Sequence, residues 1–512
     1  MSSRRLLTNA VCNTLGFIAQ VAVSFALAPI VYRALGDDRY GVWSFAESVL
    51  AYLMLFDLGV ASALVRFVPR LLAGRDQAGL NRVFSACLAF FTTVAAAAGV
   101  VGALVLELFA DHFLQVPADL RGEVRLVLLA VVANFAAVLP LSVFPAMLDG
   151  LNAFTAKSVA RMAVLIARVP LTLWVIRSDT PLLGLILLLT ASNLVESLTL
   201  AALVFRWTPG LRFVPRQIDR ATVRMIRGYS LDSFLALIAG RLAFSTDAFV
   251  IGWALGAAAI TPFAFANRLV DLGRSILRSA TTTLTPAISA SEAKGDLAAV
   301  RGYFLHGTRL VLYAALPVQA GLLLLGKPFL AVWLRAPDVA DAAGPTLWVL
   351  AGTLSLTIAQ SVAARVLYGV GRIRLFARLA LVEGVANLLL SVALVGPLGI
   401  VGVAWGTAVP HVAFCLFAVS HAGGLLGVRP RDYLLAWIPP AAVTTLPAVI
   451  WLVRTWSAAP ASYGEFVVVG LCGMVPYAAV VAAIECRPQV AAVARRGQRW
   501  LTGIVAPQSA AR

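Results

Sequence analysis

About fourteen apolar blocks, each near 20 residues or longer, divide this chain, and that division leaves few ways to fold it. A helix rising about 1.5 Å per residue needs about 20 residues to cross roughly 30 Å of hydrocarbon. The blocks cover 6–31, 40–67, 83–109, 124–147, 158–176, 182–205, 226–253, 261–288, 304–325, 345–367, 376–395, 400–420, 433–453 and 466–484. Of 512 residues, 61% are apolar and 13% charged, against roughly 45–50% and 25% in a soluble domain. No soluble fold buries so much apolar surface. The expectation is therefore an all-α polytopic membrane protein of about fourteen transmembrane helices. Arg4-Arg5 ahead of the first block resembles the start of a signal peptide, but the block is too long and others follow at once, so it reads as an uncleaved first helix.

The net charge of +17 raises nucleic acid as a partner, but the basic residues sit in short loops between blocks and not on a soluble surface. They report topology instead. The side that holds both termini carries 27 Lys and Arg, the opposite side 8, so both termini are expected in the cytoplasm. Opposite-side loops near 110–123 and 326–344 are too short for a folded external domain. The five cysteines form no CxxC or metal-ligand spacing, the four histidines (His112, His306, His411, His421) are isolated, and no HExxH, GxSxG or phosphate-binding loop is present. No catalytic constellation and no cofactor are expected.

An internal repeat organises the blocks. Ala34-Leu35-Gly36, leading to Phe45-Ala46, returns 220 residues later as Ala254-Leu255-Gly256, leading to Phe265-Ala266. Leu148-x-Gly150 returns as Leu367-x-Gly369 after 219. Two nearly equal offsets at equivalent places predict two six-helix lobes: 1–207, then 225–421 after a basic cytoplasmic linker at 208–224. Two further helices (422–485) and a basic cytoplasmic tail (486–512) complete the plan.

With Arg66, Arg125, Arg161, Arg227, Arg365 and Arg378, near block ends, counted with the loops, six arginines remain inside the blocks: Arg168, Arg241, Arg268, Arg274, Arg278 and Arg309. Each costs about 2.5–3.5 kcal/mol on insertion scales at a helix centre, so a group of them needs a water-filled cavity or partners. Arg309, near a block end, also has the option of reaching the interface. In block 261–288 the polar residues Asn267, Arg268, Asp271, Arg274, Ser275, Arg278, Thr282 and Thr285 share an arc of about 120–140°. A basic helix lying flat on the membrane would show the same arc, but removing this span would destroy the charge alternation of every later loop. An arginine wall at bilayer depth suits an anion, because guanidinium forks bind phosphate bidentately and stay charged. Carboxylates also lie in the blocks: Glu47, Asp57, Glu196, Asp232, Asp247, Asp271 and Glu383. They either pair with the arginines or couple transport to protons or sodium ions.

These residues resemble a known family. Arg33-Ala34-Leu35-Gly36-Asp37-Asp38-Arg39-Tyr40-Gly41-Val42-Trp43, with Leu55-Phe56-Asp57-Leu58-Gly59 and onward to Arg66, is similar to the N-terminal signature of polysaccharide transporters of the Wzx O-antigen flippase type. The aspartate-containing stretch from Asp247 to Gly256 resembles the family's seventh span. Leu367-Tyr368-Gly369-Val370-Gly371-Arg372, running through Glu383, Asn387 and 399–404, resembles its tenth to twelfth spans. The similarity covers roughly residues 1–425. It implies the multidrug/oligosaccharidyl-lipid/polysaccharide superfamily, with a V-shaped pair of helical bundles around a cationic cavity in a bacterial inner membrane. It further implies flipping of an undecaprenyl-pyrophosphate-linked oligosaccharide to the periplasmic leaflet for O-antigen, capsule or exopolysaccharide, coupled to a proton or sodium gradient. Membrane lipids, the lipid-linked oligosaccharide, a polysaccharide polymerase and a chain-length regulator are the candidate partners. A lipid II flippase and a multidrug exporter are the alternatives within the superfamily, although a drug exporter should line its cavity with carboxylates. A membrane-embedded polymerase or ligase is the alternative from another class, and it would need a sizeable external loop.

Overall fold

The computed structural model describes residues 3–113, 115–228, 246–282 and 284–485, and among them there is no strand. The helices are α1 Ser3–Leu53, α2 Val60–Ala73, α3 Gln77–Phe113, α4 Arg121–Val138, α5 Val143–Gly150, α6 Phe154–Val175, α7 Pro181–Trp207, α8 Asp247–Ala254 and α9 Ala257–Thr281. They continue with α10 Leu284–Glu292, α11 Leu297–Leu334, α12 Pro337–Gly352, α13 Leu354–Gly369, α14 Ile373–Leu425, α15 Pro430–Leu435, α16 Ile438–Ser457 and α17 Tyr463–Glu485.

Among the described residues, ten helical stretches are long and apolar enough to cross a bilayer, fewer than the fourteen blocks, and the difference has physical causes. Helix α1 runs through two blocks, broken at Gly36 with φ 74°, and α14 runs through two more, broken at Gly399 with φ 60°. Both breaks use the left-handed backbone that glycine adopts without strain. Helix α9 is too charged to count as apolar, with Arg268, Asp271, Arg274 and Arg278 along it. Block 226–253 lies largely outside the described residues.

Block 40–67 is not one helix. Helix α1 tightens into a 3₁₀ turn over Met54–Asp57, and Leu58 (φ 49°) and Gly59 (φ 75°) then turn left-handed before α2 begins. The Asp57 carboxylate accepts the N–H of Ala61 at 3.0 Å, answering one of the donors that a helix start leaves open.

The repeat is written into the backbone more fully than into the residues. Left-handed residues recur at Gly36 and Gly256 and at Arg75 and Gly295, each 220 apart, and at Asn152 and Gly371, 219 apart. Helices α3 and α11 start 220 apart, and Asp76 and Asp296 accept the N–H of Gly79 and Ala299 respectively. A Cβ on Gly150 would meet Val68 at 2.8 Å, and a Cβ on Gly369 would meet Ile288 at 2.5 Å. Val68 and Ile288 are themselves 220 residues apart. In each repeat a glycine admits the same neighbour.

Contacts group the chain into two compact units. The first comprises 1–268, 333–350 and 372–414, with a core in which Leu64, Val68, Phe84, Phe91, Phe135 and Met147 are buried. The linker after α7 is strapped to α3: Asn81 donates to the carbonyl of Gly210 and accepts the N–H of Arg212, and the Ser85 hydroxyl accepts the N–H of Val214. The second unit comprises 269–332, 351–371 and 415–512. There Leu277, Ala315, Leu354 and Ile358 pack together, and Trp451 lies against Gly321 and Gly473. The Tyr477 hydroxyl donates to the carbonyl of Tyr313 at 2.5 Å, tying α17 to α11. Small residues and polar bonds of this kind hold helices together where lipid is as apolar as leucine.

Candidate functional site

Within the first unit, α1, α6, α7 and the middle of α9 line a cavity of about 80 Å³. Helix α1 supplies Tyr40, Trp43 and Glu47, α6 supplies Arg168 and Thr172, and α9 supplies Arg268. Residues 40–46 of α1 are buried, and Glu47, the next residue, is exposed toward this space. Arg268 donates from Nη1 to the Tyr40 hydroxyl at 3.1 Å, and the Tyr40 ring stacks on Phe265 with centroids 4.6 Å apart. Arg168 and Arg268 both lie within electrostatic reach of Glu47. Two guanidinium groups and one carboxylate are thus the charged groups among the cavity's lining residues.

Close backbone contact fixes this geometry. A Cβ on Gly41 would sit 1.9 Å from the carbonyl oxygen of Ala257, so only glycine lets α1 and α9 approach so nearly. Thr261 donates its hydroxyl to the carbonyl of Asp37 at 2.7 Å. Gln115 adds a clip, its N–H donating to the carbonyl of Gly252 and its own carbonyl accepting the N–H of Ala257. The Ala-Leu-Gly elements of the two repeats thus lead into segments that meet here, and the meeting carries Arg268 onto Tyr40.

A second group of polar residues in the same unit joins the two halves of α14. Glu383, Asn387 and Ser391 recur every fourth residue before the Gly399 break, and Val403, Thr407 and His411 recur likewise after it. One antiparallel register brings them into three rungs. His411 Nδ1 lies 2.5 Å from Glu383 Oε1, Asn387 donates to the Thr407 hydroxyl at 3.3 Å, and Ser391 donates to the carbonyl of Val403 at 3.4 Å. Thr407 also donates to Asp247 at 3.1 Å, which ties α8 to the ladder. All six side chains with polar groups in it are buried: Asp247, Glu383, Asn387, Ser391, Thr407 and His411. Gly402 and Gly406 make it possible, since a Cβ on Gly406 would lie 2.2 Å from the Ser391 hydroxyl and one on Gly402 2.1 Å from the carbonyl of Leu394.

In the second unit, Arg274 pairs with Asp271 at 3.0 Å along α9. Arg278, one turn on, is within electrostatic reach of Arg274, Arg365 and Asp271, which gives this unit a cationic group of its own. Arg309 is joined to Glu485 at 2.6 Å and faces Tyr313, so its charge is answered at the junction of α11 and α17. Arg161 and Glu196 likewise pair at 3.0 Å in the first unit. Arg241 and Asp232 lie outside the described residues.

Within the first unit Arg168 and Arg268 share a cavity; within the second Arg274 and Arg278 lie one turn apart on α9, and Arg309 is joined to Glu485. Arg365, which the charge pattern assigns to a loop, is on α13, and His411, isolated in sequence, is paired in the interior. The every-fourth-residue recurrence of polar groups on both sides of Gly399 was the available signal for the ladder.

The profile of the family described as "Polysaccharide biosynthesis protein" matches residues 6–292. A Bacillus subtilis (strain 168) protein described as "Uncharacterized membrane protein EpsK" is 24% identical over 439 residues, 84% of this chain and 85% of that one. Among solved structures, "Lipid II flippase MurJ, inward closed conformation" superposes with a TM-score of 0.74 at 13% identity, covering 94% of this chain and 100% of that chain. An inward-facing multidrug resistance MATE transporter of the MOP superfamily gives 0.68 at 16% identity, covering 82% and 98%. A MOP superfamily transporter from Pyrococcus furiosus, titled for the reverse polarity of its binding pocket, gives 0.58 at 16%, covering 83% and 95%. These likenesses identify the fold as that of membrane transporters and flippases. By the match over more than half its length, the chain belongs to the polysaccharide biosynthesis protein family.

Proposed function

We propose that this protein is a transporter, not an enzyme, that moves an undecaprenyl-pyrophosphate-linked oligosaccharide from the cytoplasmic to the periplasmic leaflet of a bacterial inner membrane by alternating access, with both termini in the cytoplasm. The observation that carries this reading is a cavity lined by Arg168, Arg268 and Glu47 in a chain of this family. Arg168 and Arg268 engage the pyrophosphate, with Arg274 and Arg278 as further anion contacts, while the polyprenyl chain stays in lipid. The carboxylates of the buried ladder, Asp247 and Glu383, carry the coupling to an ion gradient. A polysaccharide polymerase and a chain-length regulator are the partners that would receive the product. A drug exporter for cations fits less well, because two arginines against one glutamate repel a cationic substrate.

Replacing Arg168 or Arg268 by Ala removes a charge-assisted contact of about 1.5–3 kcal/mol, roughly tenfold or more in rate. Cells carrying either variant should lose surface polysaccharide at least tenfold and accumulate the lipid-linked intermediate on the cytoplasmic leaflet. Undiminished export by both variants would refute the anion role of the cavity.

A further inference from the structure

Building on the transporter reading, we infer that the buried Glu383–His411 rung is where the transport cycle takes up and releases a proton. The two side chains meet at 2.5 Å with 5% and 6% of their surface exposed, on facing halves of α14. The other two rungs join hydroxyl, amide and carbonyl groups, which do not change charge near neutral pH. Imidazole is the side chain whose ordinary titration, near about pH 6.5, falls between about pH 5 and 8. With one proton held between His411 Nδ1 and Glu383 Oε1, the pair has no net charge and is compatible with burial. Once the proton leaves, a carboxylate charge remains in the buried rung, and water or movement of the helices then answers it.

The surroundings strengthen this link. Ala380, Phe376 and Phe414 form an apolar cluster beside the rung and supply no replacement charge. Asp247, held by the Thr407 hydroxyl of the adjacent rung, is a further buried carboxylate. Arg378, five residues before Glu383, is exposed, and Asp232 and Arg241 lie outside the described residues. Proton occupancy and closure of the two halves of α14 are therefore the same event. The proton enters from the side to which the rung is open, is shared by Nδ1 and Oε1 while the rung is closed, and leaves to water when the rung opens again.

The test uses the full-length protein in liposomes with a trapped pH-sensitive dye and undecaprenyl pyrophosphate as probe. In the wild type, movement of the probe should carry protons and its rate should change at least tenfold between about pH 5 and 8. His411→Gln keeps a hydrogen bond to Glu383 without titrating, and Glu383→Gln removes the charge. Both should lose proton movement by at least tenfold. Undiminished proton movement in His411→Gln, or wild-type transport that follows sodium and ignores pH, overturns the inference. A wild type that moves no probe at any pH refutes the transporter reading instead. The proton site is then tested by thermal unfolding in detergent: the wild-type midpoint should fall as pH rises through this range and that of His411→Gln should stay level. Parallel profiles overturn the site. Where His411→Gln is not recovered as a monodisperse protein, Glu383→Gln serves in both measurements.

Discussion

Glu47 and Glu383 are carboxylates of the same kind set in apolar helices of the same unit, yet their surroundings are opposite. Glu47 is exposed to a cavity and has two arginines within electrostatic reach. Glu383 is 7% exposed and is met by a histidine at 2.5 Å, with the helix halves drawn together by Gly402 and Gly406. A charge facing a cavity is solvated whatever its neighbours do, so the groups around it remain available to a ligand. A sealed charge is answered by the protein itself, and its state changes only with a proton or with movement of the walls. On the proposed function, groups around Glu47 would bind and Glu383 would couple, whichever residues carry the larger formal charge.

One substitution applied in both places tests the comparison most severely. Glu383→Ala removes the carboxylate that meets His411 in the interior, and breaking a buried ion pair costs about 3–5 kcal/mol. Glu47→Ala removes an exposed group and should alter stability by less than about 0.5 kcal/mol. The unfolding midpoint of each purified variant in detergent measures both. Equal losses would mean that the two glutamates are not in different environments, and the distinction would fall.

A second pair addresses the packing that closes the ladder. Gly406→Val drives a side chain into Ser391, whose hydroxyl and backbone nitrogen would lie 2.2 and 2.6 Å from the new Cβ. Overpacking of this sort costs about 1–3 kcal/mol, and the helices must separate to relieve it. Gly464→Val, at the start of α17 where nothing lies within 4 Å of the new Cβ, should be near neutral. If separation of the halves of α14 is what exposes the rung, Gly406→Val should also weaken the pH dependence of transport, whereas Gly464→Val should not.

Much of the fold was legible because the bilayer restricts it so strongly. Block lengths located most of the helices, and Ala34-Leu35-Gly36 and Ala254-Leu255-Gly256 marked a repeat whose backbone signature extends to Arg75 with Gly295 and Asn152 with Gly371. Residue matching does not reveal those last pairs, because an arginine or asparagine can occupy the left-handed conformation that glycine occupies in the other copy. The candidate site was less legible. Helical periodicity places Arg268, Arg274 and Arg278 on one face of α9, but it cannot say that Arg268 meets Tyr40, 228 residues away in sequence, or that Arg309 meets Glu485. His411 looked isolated because its partner lies 28 residues earlier, across a break whose register depends on where Gly399 turns.

Glu47→Gln sharpens the binding side of the comparison. Removing the carboxylate takes away the charge that competes with a phosphate for Arg168 and Arg268, so binding of undecaprenyl pyrophosphate should tighten by on the order of 1 kcal/mol, roughly fivefold. The gain should shrink as salt is added, since Glu47 is exposed. Titration of the purified protein with the probe at low and high ionic strength reads both effects. Weaker binding would mean that Glu47 orients the arginines and does not oppose the anion.

The smallest expected change concerns Asp57, a carboxylate that the sequence leaves open between charge pairing and ion coupling. Its oxygen accepts the N–H of Ala61 at the start of α2, directly after the left-handed turn at Leu58 and Gly59. Asparagine keeps an oxygen able to accept the same bond but carries no charge, whereas alanine removes the acceptor. Asp57→Asn should therefore leave stability within about 0.5 kcal/mol and transport unchanged, while Asp57→Ala should lower stability by about 1 kcal/mol. If asparagine abolishes proton-linked transport while the unfolding midpoint holds, Asp57 belongs with Glu383 among the coupling groups, and a carboxylate can be both a helix cap and part of the ion path.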